Sequence, residues 1–494
     1  MNRTTVVRRS KKITNPEGYS TYKRRKDQAL LFTACSFTPR NSFYLTEDER
    51  LKQLEYLIDS LIKNNEVEYI TALTWMLGKI LGIRLAPSII TTKLAGICPD
   101  KHLEKIINDV FTRPDFMANS LAYWKRTHGT IKTFPRSLFK FMKLKFETFN
   151  DNTLKNRKMR YREFKLKDLI KIFKPIPIDK HRSKLYKAII EDSKLSKLQV
   201  KVDESGKIVK ADHITAAISD RSIDYDNKKQ FVSESISTIP INALIKNLSF
   251  LSKSDVTPLY NRLKSIFESE DSLRFINPFD LIFMQGQFAE NVNIAPEIVK
   301  VCDSILTKFA LFNCKCENPV ILYDKSGSMS EGGHYIGSKF LSLFVNIFTK
   351  KFKFYEFDIR LFDNTNKILD FATLSPNILA NNLYSKITCD GCTALLDSIK
   401  AVIDQNPQMD LFVIVTDEVT WADTQVIEEY RRIIPSHLSG KVILVNVSPT
   451  LGSVFKVDDK IVRISGLDGK IIKLIEAITD FDKFKKYIIQ QFNT

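Results

Sequence analysis

PVILYDKSGSMS, residues 319–330, is a short apolar run that stops at an acid and then sets serines at alternate positions. Apolar runs of about four to eight residues bounded by polar loops suit a strand buried on both faces. Asp324, Ser326 and Ser328 then stand just past the carboxyl end of that strand, the edge where open α/β sheets collect their ligands. Further along, CDGCTALLD (389–397) places Thr393 in a loop before a helix, and LFVIVTDE (411–418) places Asp417 at the end of a second buried strand. Hydroxyls and carboxylates are the hard oxygen donors that a small divalent cation such as Mg²⁺ takes in octahedral geometry beside retained waters. Asp324, Ser326, Ser328, Thr393 and Asp417 are therefore the predicted metal site. A lone D-x-S-x-S says little, because Ser and Asp also cap helices. Three loops converging on one sheet edge say much more.

The texture around this stretch supports a sheet. KFYEFDIRLF (353–362), DLFVIVT (410–416) and KVILVNV (441–447) are further short apolar runs, separated by helical spacings, which indicates βαβ units and a parallel sheet. An apolar segment from Gly469 to Phe492 is expected to close this domain as a helix. Two other motifs point elsewhere and are set aside. GGHYIGSK (332–339) nearly spells a phosphate-cradling loop, but Ser precedes its Lys and it falls within the helix after the metal loop. Cys314 and Cys316 precede the first strand while Cys389 and Cys392 lie past the opposite ends, about 17 Å away across a strand of this length. Four thiols so placed do not share a tetrahedral zinc ion.

Upstream the pattern changes. From Thr46 to about Ala188 apolar residues recur at helical spacing, as in Leu51, Leu54, Leu57, Ile58 and Leu61, then Ile70, Leu73, Met76 and Ile80. Pro87, Pro99, Pro114, Pro135, Pro175 and Pro177 punctuate these segments. The expectation is a series of antiparallel helix pairs stacked as an α-solenoid. Residues 195–235 are charged and irregular and are read as a small excursion, with helices resuming at Pro240 and running to Phe309.

Charge is divided in the same way. The chain carries a net +18, yet residues 311–494 hold 21 Lys and Arg against 22 Asp and Glu, so all the excess lies in the first 310 residues. Clustered Lys and Arg suit a polyanion, since they release counterions from a phosphate backbone. The densest cluster follows Lys125 and includes Arg136, Lys140, Lys155, Arg157, Lys158, Arg160, Arg162, Lys165, Lys167, Lys171 and Lys174, interleaved with Phe and Tyr. These eleven are the predicted RNA contacts, phosphates meeting the cations. Phe134, Phe139, Phe141, Phe146 and Phe149 read as mostly core from their spacing. The basic start MNRTTVVRRSKK leads into no apolar signal core, and no membrane-length apolar run occurs. With seven cysteines, this fits a soluble cytoplasmic protein with reduced thiols.

The aligned motifs resemble a known family. The three-loop set resembles the metal-ion-dependent adhesion site of von Willebrand factor A domains, in which both serines and the threonine touch the metal and the aspartates act largely through waters. EGYSTY (17–22), NSFYLTEDERL (41–51), TFPRSLFKF (133–141), RYREFKLKDLIKIFKPIP (160–177), STIPINALIKNL (237–248) and RFINPFDLI (274–282) resemble the TROVE module of the Ro autoantigen family, and IVRISGLDGKIIKLI (461–475) resembles the end of its A domain. Where that family commonly carries a histidine, this chain has Leu166. The resemblance implies an all-α ring of HEAT-like repeats at 17–310 and a doubly wound A domain at 318–494. It also implies non-catalytic binding of small structured Y RNAs, of the 3′ ends of misfolded RNAs, or both, with a protein or nuclease as a further partner. The sequence offers no Ser/His/Asp set, no Walker loop and no metal-ligand spacing among its six histidines. The competing reading is a protein-interaction module whose metal captures a partner's carboxylate.

Overall fold

The structure, a computed structural model, describes residues 12–14, 20–23, 26–35, 47–155, 163–191, 200–205, 207–211, 223–239, 250–268, 318–329, 337–340, 351–357, 367–370, 395–417, 433–438, 442–447, 452–453, 461–465 and 481–494, with scattered positions between 241 and 343. The chain divides into two compact units that interleave along it. One comprises Met1–Ser60, Asn277–Gly286 and Cys302–Lys486; the other comprises Leu61–Ile276, Gln287–Val301 and Tyr487–Thr494. Sequence reading set a helical-repeat domain at 17–310 and an A-like domain at 318–494.

The first unit is built on a six-stranded sheet. Its strands are β5 (Pro319–Asp324), β6 (Lys351–Phe357), β7 (Lys367–Asp370), β8 (Leu411–Thr416), β9 (Val442–Asn446) and β11 (Ile461–Ser465), in the order β11-β9-β8-β5-β6-β7. All neighbours are parallel except β6 and β7. Every residue of β5, β8 and β9 is buried, which requires cover on both faces and explains the unbroken apolar runs of the sequence. One face, with Val320, Leu322, Phe412, Ile414, Val442 and Leu444, packs against Leu395, Ile399 and Val402 of a helix at Leu395–Gln405. At the amino ends, Asn318 and Asp410 exchange hydrogen bonds, with Asn318 N–H donating to the Asp410 carboxylate at 3.0 Å and Asp410 N–H to the Asn318 carbonyl at 3.3 Å.

A second, three-stranded antiparallel sheet belongs to this unit. Here β1 (Lys12–Thr14) pairs with β2 (Ser20–Lys23), and β2 pairs with β10 (Gly452–Ser453). The helix that follows, α1 (Lys26–Cys35), contacts β11 and buries Leu30, Leu31 and Ala34. Sequence reading had not assigned strands to this segment.

The second unit is helical. After α2 (Glu47–Lys63), which crosses the boundary between the units, come α3 (Val67–Lys79), α4 (Leu85–Leu94), α5 (Asp100–Val110), α6 (Pro114–His128), α7 (Arg136–Glu147), α8 (Asp151–Lys155), α9 (Leu166–Phe173) and α10 (Lys180–Glu191). Alternate helices touch, α3 packing on α5, α5 on α7 and α4 on α6, and in addition α3 packs on α4 and α6 on α9. That pairing is the two-layer stacking of a helical solenoid, as the proline punctuation suggested. Interior hydroxyls are satisfied within their own helices, so the surfaces they line can be buried. Thr74 donates to the Ile70 carbonyl and Thr91 to that of Pro87, each at 2.7 Å, and Ser120 of α6 donates across to the Ser88 carbonyl of α4 at 3.1 Å. Gly78 brings α3 close to α5, since a Cβ there would lie 2.0 Å from Val110 Cγ1. Trp75 and Lys79 add a polar link, both donating to Asp109 Oδ2, at 2.7 and 3.0 Å.

One expectation is adjusted. Within 195–235 the excursion is a hairpin of β3 (Val200–Val202) and β4 (Ile208–Ala211), and the helix α11 (Tyr225–Glu234) packs on β4, so helix resumes before Pro240. Asp203 shapes the turn by accepting from the backbone N–H groups of Ser205 and Lys207. Of the closing helix expected from Gly469 to Phe492, Phe481–Asn493 is described as helix, and 466–480 lie outside the described residues. Its last turns lie in the helical unit, where Phe492 meets Trp75 edge to face at 6.1 Å and Asn493 donates to Glu68. Further helix follows at α12 (Val256–Glu268). Among the described residues no helix is long and apolar enough to cross a membrane. Cys35, Cys98 and Cys302 are buried, and burial pushes the Cys98 thiol up to about 11. Cys314, Cys316, Cys389 and Cys392 lie outside the described residues.

Candidate functional site

Strand order reverses between β5 and β8: from β5 the chain runs outward to β6 and β7, then returns to β8 and runs outward the other way to β9 and β11. The crevice at the carboxyl ends of the two strands flanking such a switch is where doubly wound sheets bind ligands. Asp324 ends β5 and Asp417 directly follows β8. The register pairs Tyr323 with Val415, which sets Asp324 level with Thr416 and Asp417 one residue beyond.

Three of the five predicted ligands are brought to this edge with described side chains. Asp324 is 0% exposed, Asp417 1% and Ser326 2%. The Asp324 carboxylate is held on both oxygens, Oδ1 accepting from the Ser326 N–H at 2.9 Å and Oδ2 from the Thr416 hydroxyl at 2.6 Å. Ser328 is placed by its backbone alone, in the tight turn Gly327–Met329, and Thr393 lies outside the described residues. Thr416 is the residue that sequence reading missed. Its signal was its position, a hydroxyl on the last residue of a buried strand beside another acid.

Burial raises the proton affinity of Asp324, and the hydrogen bonds from Thr416 and Ser326 offset part of that rise. Two buried carboxylates on adjacent strand ends repel one another unless a cation or protons neutralise them. Lys325, the residue after Asp324 in the chain, is buried as well. The described candidate ligands at this edge, Asp324, Ser326 and Asp417, offer oxygen, which matches a hard divalent cation rather than a thiolate or imidazole site. Among the described residues no group of three or more His, Cys, Asp or Glu side chains gathers, at this edge or elsewhere. The loop that resembled a phosphate cradle has a packing role at Gly337. A Cβ there would lie 2.8 Å from the Tyr323 hydroxyl and 3.1 Å from Val415 Cγ1, so glycine lets the following helix approach β5 and β8.

The predicted basic cluster is placed in part. Arg136 and Lys140 are exposed on α7, and Lys165, Lys171 and Lys174 are exposed along α9 and its two ends. Lys167 is half-buried, and Lys155 is placed by its backbone. Arg157, Lys158, Arg160 and Arg162 lie outside the described residues. The two helices are joined underneath by aromatic packing, Phe139 and Phe146 against Phe173 with ring centroids 5.3 and 5.9 Å apart. Phe134, Phe141, Phe146 and Phe149 are buried, as their spacing predicted. Leu166, in the family's histidine position, is buried too and presents no polar group.

Helical stacking and a doubly wound sheet, in one chain, have a solved counterpart. The crystal structure of the Deinococcus radiodurans Ro (RSR) protein superposes with a TM-score of 0.53 over 93% of this chain and 100% of that chain, at 13% sequence identity. The chain has a Ro-like fold. No protein-family model and no curated protein matches it by sequence. The Ro-like architecture is thus retained where most residue identities are not, and the arrangement rests on helix stacking and sheet order.

Proposed function

We propose that this Ro-like chain is a non-catalytic RNA-binding protein that takes small structured RNA of the Y-RNA kind, the 3′ ends of misfolded RNA, or both. In this reading the helical part is a TROVE-like module of HEAT-like repeats, and the sheet unit is a von Willebrand factor A-like domain. The observation that carries it is the group of exposed cations, Arg136, Lys140, Lys165, Lys171 and Lys174, on two helices packed through Phe173. Cations fixed on one rigid helix pair meet several phosphates at once, whereas solvating lysines need no such grouping. The neutral balance of residues 311–494 supports the division of labour, RNA on the helices and metal on the sheet.

Asp324, Ser326, Ser328, Thr393 and Asp417 would hold the cation, most naturally Mg²⁺. When bound it neutralises the buried carboxylates and offers an open position to an oxygen ligand. The buried pair Asp324 and Asp417 also favours a second reading, an interaction module in which that ligand is a partner protein's carboxylate. One measurement separates the two. Protein purified from its own cells is expected to carry RNA, seen as a raised ratio of absorbance at ~260 to ~280 nm that nuclease removes. Cross-linking and sequencing would then name the RNA. Protein that is free of nucleic acid, and that gains none from total cellular RNA at low salt, overturns the RNA reading.

A further inference from the structure

We infer that the exposed face of the His128 ring, backed by Trp124, is a stacking platform for an unpaired base of single-stranded RNA, a proposal that rests on the RNA-binding reading above. The two rings lie face to face, centroids 3.6 Å apart and planes within 8°. His128 is the last residue of α6, and its side chain is exposed. The pair is fixed from several directions. Nδ1 of His128 sits 2.8 Å from the Thr127 hydroxyl and 3.2 Å from the Trp124 carbonyl. The Trp124 indole N–H donates to the Thr133 hydroxyl at 3.3 Å, and Phe134 meets the indole edge to face at 5.8 Å. A flat ring held in place and turned to water adds little to the core, but it offers a π-face without a further ordering cost.

The surroundings identify the occupant. Lys125 and Arg126 are exposed on the same helical turn, and Lys125 pairs with Glu163 while lying 5.8 Å over the Phe164 ring. Thr133 and Phe134, which touch the indole, are flanked by exposed Lys132 and Arg136. Exposed cations close in the chain to an aromatic face match a strand whose phosphates run past while a base turns inward. A duplex keeps its base faces stacked and hidden, so the ligand is a single strand.

The test uses the full chain, with fluorescence anisotropy on a 12-nucleotide adenine-only RNA, the same length carrying abasic positions, and a 12-base-pair duplex. His128→Ala is expected to weaken binding of the single strand about tenfold, within the span that base stacking supplies. The slope of affinity against salt should stay unchanged because no phosphate contact is lost. His128→Phe should keep parental affinity, and the abasic strand and the duplex should not distinguish the variants. Equal losses for His128→Phe and His128→Ala overturn the stacking role in favour of an imidazole hydrogen bond. A flattened salt slope overturns it in favour of charge. Parental affinity for the single strand in His128→Ala overturns the platform and leaves the RNA reading standing. A parent that binds neither single strand nor duplex overturns both.

Discussion

Replacing Thr416 by valine keeps the side-chain volume but removes the hydroxyl that donates to Asp324 Oδ2. The carboxylate oxygen is then buried one donor short, at a cost of about 1–3 kcal/mol, which a lowered thermal midpoint would report. Asp324 itself gives a pH signature. Burial raises its proton affinity, so in metal-free protein the folded state holds this proton to higher pH than the unfolded state. The sign follows: its contribution is most favourable below the unfolded carboxylate range and declines as pH rises through the elevated folded value. Asp324→Asn, which cannot ionise, is expected to raise the metal-free melting temperature at pH values above that transition. The same variant should lose the added stability that Mg²⁺ gives the parent, and Ser326→Ala should bind Mn²⁺ weakly or not at all in calorimetry. A full response to Mg²⁺ in Asp324→Asn would place the cation elsewhere.

At the scale of elements, Gly78 poses a test in which two effects oppose. Alanine is favoured over glycine in a helix by about 1 kcal/mol, but its methyl would meet Val110, which is itself buried. Overpacking of this kind costs about 1–3 kcal/mol. Gly78→Ala should therefore lower the urea midpoint, and adding Val110→Ala should recover part of the loss beyond additivity. A midpoint that rises in the single variant would mean that α3 and α5 lie further apart. The helices and the buried strands were legible in the sequence because each writes its period into contiguous residues. The same holds for Asp324, Ser326 and Asp417, which sit where apolar runs stop. The small sheet was not legible, because Lys12–Thr14 and Ser20–Lys23 are short and polar and gain a third strand only from Gly452–Ser453. Trp124 and His128 read as an ordinary pair four residues apart, and only coordinates show their rings parallel.

Across the whole molecule, the uneven charge gives a test of where RNA lies. Reversing Arg136, Lys140, Lys165 and Lys171 to glutamate should weaken RNA binding strongly. Single-stranded nucleic acid loses affinity with a log-log salt slope of roughly −0.7 per phosphate, so three lost contacts should flatten the slope by about 2. Reversing Lys52, Lys63, Lys101 and Lys486, all exposed, changes net charge equally and should leave the slope near the parent's. Equal losses from both sets would mean that net charge alone governs binding. The pairing of Lys23 with Gly452 has a consequence for synthesis. A ribosome adding roughly 5–20 residues per second needs about 20–90 s to reach the second strand after making the first. Through that interval the short β1 and β2 segments lack their third strand, and two strands of this length are marginal alone. A nascent chain released early, as from a broken message, never acquires that third strand. Completion of the small sheet thus requires that translation has passed Ser453.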